Sequence, residues 1–179
     1  MLFRSQISAI ESGDIKAITT GALRALSTAQ IDALTSDQLR ALTSAQLNAL
    51  TTAPQVVGIT TDDLNALTTD QFSKLSTAQV ALLTTTQVAG METADLAAMT
   101  STQWAALGSA QVAALSTDSL PSMETADLRA ITTAALAGFT SDQIRSLTSA
   151  EVAAFSTTQL TKLSTAQLQG LEKIGRAHV

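Results

Sequence analysis

The chain repeats itself every eight residues. From Glu11 to Leu171 it consists of 20 consecutive octads, 19 of eight residues and one of nine, Thr51–Ile59, in which Pro54 reads as the inserted residue. Octad 5, Thr43-Ser44-Ala45-Gln46-Leu47-Asn48-Ala49-Leu50, is typical. Positions 5 and 8 are apolar in all 20 octads, and position 2 is Ser or Thr in all 20. Position 1 is Ser or Thr in 16, position 4 is Gln in 12, and position 7 is Ala, Gly or Ser in 17. A fixed short period of this kind marks an architecture built by stacking identical units.

The octad reads as the start of a helix. Ser or Thr at position 1 is placed to cap the first turn. Gln, Asp or Glu at position 4 then stands at N3, where it closes a capping box. Apolar residues before the cap and at position 5 make a hydrophobic staple. Leu42-Thr43-Ser44-Ala45-Gln46-Leu47 carries the whole pattern. One continuous helix is excluded: eight residues turn about 80° beyond two full turns, so the apolar stripe would wander round the rod. Repeated caps have no role inside such a helix. The period therefore predicts an all-α solenoid of about 20 short N-capped helices, each of about seven residues and marginal without packing. A β-solenoid is the rival reading. It asks for period-two alternation and more turn glycine, although the Thr pairs keep it open. Whether position 1 or position 2 is the true cap also stays open, because position 2 is the stricter of the two.

A one-residue break is too short for an antiparallel hairpin, so successive helices turn a corner and wind up, with positions 5 and 8 inside. A longer spacing overlies the octad. Met91-Glu92-Thr93-Ala94-Asp95-Leu96 returns 32 residues later as Met123-Glu124-Thr125-Ala126-Asp127-Leu128, and Asp63, Asp95 and Asp127 share that spacing. Two explanations stand: alternating environments in a two-helix layer, or recent duplication. A kink is expected at Pro54 and at Pro121, which falls at position 6 of Ser116–Met123.

The register reaches back to Gln6 and fails at residues 1–5; it stops after Leu171, and residues 173–179 match no octad. Leu2-Phe3-Arg4-Ser5 and Ile174-Gly175-Arg176-Ala177-His178-Val179 resemble translated adapters of short-read DNA sequencing. The expected organisation is thus a solenoid over 6–172 flanked by non-native 1–5 and 173–179, a fragment of environmental DNA whose parent continues both ways. Ile15, Ile18, Leu168 and Leu171 would then each lack a neighbour. The chain would fray from its ends or join end to end with other copies.

Chemistry is sparse. There is no Cys and no Tyr, and the single His, His178, lies in the foreign-looking tail. Thiolate chemistry is excluded, and a catalytic Ser has no base in 6–172. Asp62 with Asp63 and Glu92 with Asp95 are the nearest paired carboxylates, but acids in first turns are expected for the helix dipole alone. Calcium loops and glycine-rich phosphate loops are not evident. Trp104, Met91, Met99 and Met123 fall on core positions. The reading is therefore no enzyme: catalytic, cofactor-binding and metal residues, none; cofactors, none. The net charge is −5 over 179 residues, and −8 over 6–172, with scattered bases. Nucleic acid is not an expected partner. No apolar run is long enough to span a membrane.

Leu75-Ser76-Thr77-Ala78-Gln79-Val80 and Leu163-Ser164-Thr165-Ala166-Gln167-Leu168 resemble the Leu-Thr-Thr-Ala-Gln-Val-like octapeptide repeats of very large bacterial surface or secreted proteins, often labelled haem-utilisation or adhesion proteins. The resemblance implies a spacer, stalk or adhesive surface of a larger bacterial protein, secreted or at the cell surface, with an unidentified protein or surface as partner. The haem label finds no His, Tyr or Cys between residues 6 and 172. The alternative is an ice- or carbohydrate-binding solenoid using aligned Ser/Thr ladders.

Overall fold

A computed structural model describes the backbone of residues 4–177 and the side chains of residues 4–171. Leu2, Phe3, His178 and Val179, and the side chain of Ile174, lie outside it. Among the described residues there are 19 short α-helices and two 3-10 turns, and no strand. The order runs from Arg4–Ser8 to Thr165–Ala177, with one helical element per octad. The β-solenoid is thereby set aside.

Position 1 is the cap. Thr43 sits outside its helix at φ −70°, ψ 157° and accepts from the Gln46 amide at 3.2 Å. Thr35, Thr68, Ser76, Thr84, Thr140 and Ser156 do the same in their octads. The helices are shorter than expected, only four residues in Ser44–Leu47 and six at most between the two ends of the repeat. The cap takes one residue of each octad. The last turn tightens to i→i+3 bonds such as Leu50 N–H to Leu47 O at 3.1 Å, a usual way for a helix to end. Position 8 then leaves in extended backbone, as Leu42 does at ψ 136°.

Neither proline kinks a helix. In the nine-residue octad the cap is Thr52 and the helix is Ala53–Val57. Thr51, not Pro54, is therefore the extra residue, and Ala53 occupies position 2. Pro54 stands in the first turn, where its missing N–H has no intrahelical partner to lose. Pro121 meets no α-helix. Octad 14 forms a turn and a 3-10 segment, Leu120–Ser122, closed by Ser122 N–H to Ser119 O at 3.1 Å. Leu120 and Met123 still reach the core. Octad 1, with Gly13 and Asp14, makes a similar 3-10 turn, Ile15–Ala17.

The chain divides into two compact units, Met1–Gln87 and Val88–Val179. Each is an all-α repeat solenoid. In the first unit, Ala53–Val57 lies against Thr28–Ile31 on one side and Thr77–Leu82 on the other. In the second, Thr125–Ala130 lies between Ser101–Trp104 and Ser149–Ala154. Each step is three octads. There is no two-helix layer in either unit.

Position 7 is small because the backbone three octads earlier passes over it. A Cβ on Gly58 would stand 3.0 Å from the Thr28 carbonyl oxygen, and one on Gly170 would stand 3.0 Å from that of Ser141. A Cβ on Gly138 would overlap the Ser109 carbonyl outright. No described glycine has a positive φ, so the requirement is one of space. Position 5 is buried from Ile7 to Ile144, and position 8 from Leu34 to Leu163. At the first edge Ile15 is fully buried, against expectation, while Ile10, Ile18 and Leu26 are half-buried. At the last edge Leu160 and Leu168 are exposed and Leu163 is buried. Position 5 is thus covered by later octads and position 8 by earlier ones.

Gly138→Ala should destabilise the protein by roughly 1–3 kcal/mol or more, because backbone rather than a yielding side chain fills the space. Gly13→Ala, which meets nothing within 4 Å, is the control and should cost little. Thermal denaturation followed by circular dichroism measures both.

Candidate functional site

The most elaborate constellation in the protein is built on position 4. All 12 glutamines there are buried, none more than 7% exposed. Each amide has two ends with different work. The Oε1 accepts from the cap residue of its own helix: Thr35 N–H to Gln38 at 2.8 Å, Thr43 N–H to Gln46 at 2.9 Å, Thr140 N–H to Gln143 at 2.8 Å. In nine of them the Nε2 points the other way, to the octad four earlier. Gln46 Nε2 donates to the carbonyls of Ile15 at 2.9 Å and Ile18 at 2.7 Å. Gln79 does so to Leu47 at 2.8 Å and Leu50 at 2.9 Å.

Within residues 1–87 the same pair of bonds is made by Gln38, Gln55, Gln71 and Gln87. Within residues 88–179 it is made by Gln143, Gln159 and Gln167. Each of these amides meets carbonyls at positions 5 and 8, the end of a helix and the corner after it, and five of them also lie within reach of the position-6 carbonyl between, as Gln55 does of Arg24 at 3.0 Å. Those carbonyls are left over where a short helix stops. One side chain therefore satisfies an amide at the start of its own helix and two carbonyls at the end of another.

This step of four octads has the same length, 32 residues, as the recurrence in the sequence, although the octads that carry the recurrence hold Asp95 and Asp127 rather than glutamine at position 4. With packing contacts at three octads and amide bonds at four, one winding takes between three and four octads in each unit.

Position 2 has its own task at the three-octad seam. Ser36 Oγ donates to Asp63 Oδ1 at 2.8 Å, Ser101 Oγ to Asp127 Oδ1 at 3.0 Å, and Ser141 Oγ to the Ala166 carbonyl at 3.0 Å. Thr93 and Ser119 hydroxyls meet at 3.4 Å. Aspartate at position 4 is thus a second solution. A carboxylate has no N–H to give the carbonyls four octads back, and at Asp63 and Asp127 it accepts from a hydroxyl three octads back instead.

The paired carboxylates fall in this scheme. Asp63, half-buried, also accepts from the Thr60 hydroxyl at 2.7 Å, while its neighbour Asp62 is exposed in the same first turn. Asp95 is 3% exposed and its Oδ2 has no partner. Burial pushes its carboxyl up to about 6; the Glu92 carboxylate beside it adds to the rise, and the Glu92 amide bond opposes it. Asp127 moves the same way for the same first reason, held back by bonds from the Ser101 hydroxyl and the Glu124 amide, with Glu124's charge adding to the rise. Glu151 stands in a glutamine's place. Its Oε2 accepts from Thr148 N–H at 2.6 Å, but its Oε1 is buried without a partner. Trp104, Met91, Met99 and Met123 are core. Among the described residues no three His, Cys, Asp or Glu side chains gather as metal ligands.

The second bond of each glutamine was not anticipated from the sequence, which assigns Gln to the capping box alone. The signal was present: a box is closed equally well by Glu, yet position 4 holds 12 Gln and only one Glu. That bias reports a need for a donor as well as an acceptor.

Gln46→Glu should therefore destabilise by about 2 kcal/mol or more, because a carboxylate cannot donate and leaves two carbonyls facing an anion. Glu151→Gln should stabilise by roughly 1 kcal/mol. Urea midpoints check both signs. Asp95 gives a pH signature. Its folded carboxyl titrates near 6, above the ordinary 3.8, so its stabilising contribution is complete below 3.8 and is lost as pH rises through about 6. Asp95→Asn should remove that loss: its stability relative to the parent should grow between pH 4 and pH 7. A difference independent of pH would refute the assignment.

A sequence profile of the ALTTAQ repeat matches residues 7–44, 56–91, 88–123 and 120–157. Its last three matches begin at 56, 88 and 120, the same 32-residue step as the glutamine bonds. No curated protein matches the chain. Among the described residues no helix is long and apolar enough to cross a membrane.

Proposed function

The chain belongs to the ALTTAQ repeat family, and from that premise we propose that it is a structural or interaction segment of a larger bacterial protein, a spacer, stalk or adhesive surface that performs no catalysis. The observation that carries this reading is how the octad divides its positions. Positions 1, 4, 5 and 8 are occupied by caps, bridging amides and core, and positions 2 and 7 lie at the seam between windings. What remains for the outside is chiefly position 3, exposed and varied as Asp37, Ala45, Pro54 and Asp62, while at position 6 Arg40 and Asn48 donate to the Ala66 and Lys74 carbonyls three octads later. A scaffold is held constant while its outward face is not.

The hydroxyl-ladder alternative loses its basis at position 1, where the oxygens are engaged in caps. A surface or secreted location follows the family resemblance and belongs to the same proposal.

A spacer must accept added length. Duplicating residues 132–163 in tandem adds four octads, one full step of glutamine bonds. The longer chain should keep its helical signal per residue and unfold at a temperature no lower than the parent's. Its largest dimension in small-angle X-ray scattering should increase. Loss of helical signal per residue would overturn the reading.

A further inference from the structure

The first edge of the repeat holds an apolar cavity of about 360 Å³. Its wall is a row of position-8 side chains from successive octads, Ile10, Ile18, Leu26 and Leu34, with Ile7 behind them and Thr19 as the polar member. A small-molecule pocket of this size ordinarily carries several placed polar groups that fix its ligand. This one presents an almost purely hydrocarbon row with the octad spacing.

Inside each unit, helices three octads apart lie against one another. Position 8 is buried from Leu34 to Leu163, each with octads three earlier, as position 5 is wherever octads three later are present. The position-5 residues with no later octads stand unpartnered at the last edge. Leu160 and Leu168 are 39% and 43% exposed, whereas position 5 is buried from Ile7 through Ile144. Leu160 and Leu168 are two of the three large apolar side chains exposed among the described residues.

We infer that this groove is the seat of a second copy of the chain, whose Leu160–Leu168 edge enters it as an earlier set of octads would. The contact continues the packing already present within each unit, helix against helix three octads apart. It is heterologous, since two different edges meet, so it propagates into chains of copies unless the rotation closes. Octads joined in series at either edge would occupy the same groove by the same contact. The inference does not depend on the spacer reading: a stalk that stays monomeric and a self-associating chain of another role are both distinguishable outcomes.

The test uses two variants of the full chain. Ile18→Asp places a charge at the groove, and Leu168→Asp places one on the opposite edge. Both sites are solvent-accessible, and helical circular dichroism confirms that each variant folds. Sedimentation velocity should show the mass of the parent rising with concentration, and each variant alone should stay monomeric. An equimolar mixture should form a discrete dimer, because each variant retains the edge that the other has lost. Should either aspartate variant fail to fold, Ile18→Ser and Leu168→Ser serve in the same scheme. A monomeric parent at high concentration, association that survives in both single variants, or a mixture that stays monomeric would each overturn the inference. A groove that served a small apolar ligand would give the first of these results.

Discussion

The buried primary amide at position 4 is the interaction on which everything else rests. Helices of four to six residues have little intrinsic stability, and each leaves nearly as many backbone groups unbonded as it bonds. Left buried and unmet, those groups would cost more than the apolar core returns. A glutamine meets them at both ends. Its carbonyl takes the cap amide of its own helix, and its nitrogen supplies two protons to the carbonyls at positions 5 and 8 of the octad four earlier. A helix too short to stand alone is thus completed by its neighbour in the next winding. Local capping and long-range stacking become one cooperative event.

The places where the amide is missing show what it supplies. Octads 1 and 14 carry Asp14 and Ser119 at position 4, and neither forms an α-helix. Octads 2 and 16 carry Ala22 and Ala135 but keep Thr19 and Thr132 as capping acceptors, and both remain helical. Octads 11 and 15 are helical with Glu92 and Glu124 at position 1 and no side-chain cap bond, so the helix itself does not require the amide, which adds the tie between windings. Asp95 and Glu151 mark the opposite fault. Each brings an acceptor to a buried place that asks for a donor, and each is left with one oxygen unmet.

Much of this was legible beforehand. Period, helix class, core positions and capping grammar all follow from residues that interact within one octad, and Thr43 with Gln46 is the plain case. The long-range half was less so. The three-octad seam could not be inferred from spacing, since Ser36 and Asp63 are joined only by the angle at which successive helices turn. The four-octad step was not legible either, because bonds that end on main-chain oxygens leave no mark on the sequence of their partner. The reading of Pro54 as the insertion failed because proline is tolerated in a first turn and the Thr51-Thr52 pair offers two caps. The structure selects Thr52, which places Gln55 where its amide reaches Leu23 and Leu26.

The glutamine bonds end on main-chain oxygens, and so they read no side chain in their partner. Any octad is an acceptable acceptor for any other. The seam at three octads is different: Ser101 suits Asp127, and only Gly138 fits beneath Ser109. A gene built this way can gain or lose units by unequal recombination without disturbing the first kind of contact, while each such event reassigns partners across the second. Evolutionary drift in the length of these arrays should therefore leave position 4 monotonous and let its mark fall on positions 2 and 7, where hydroxyls, acids and glycines have to be matched afresh.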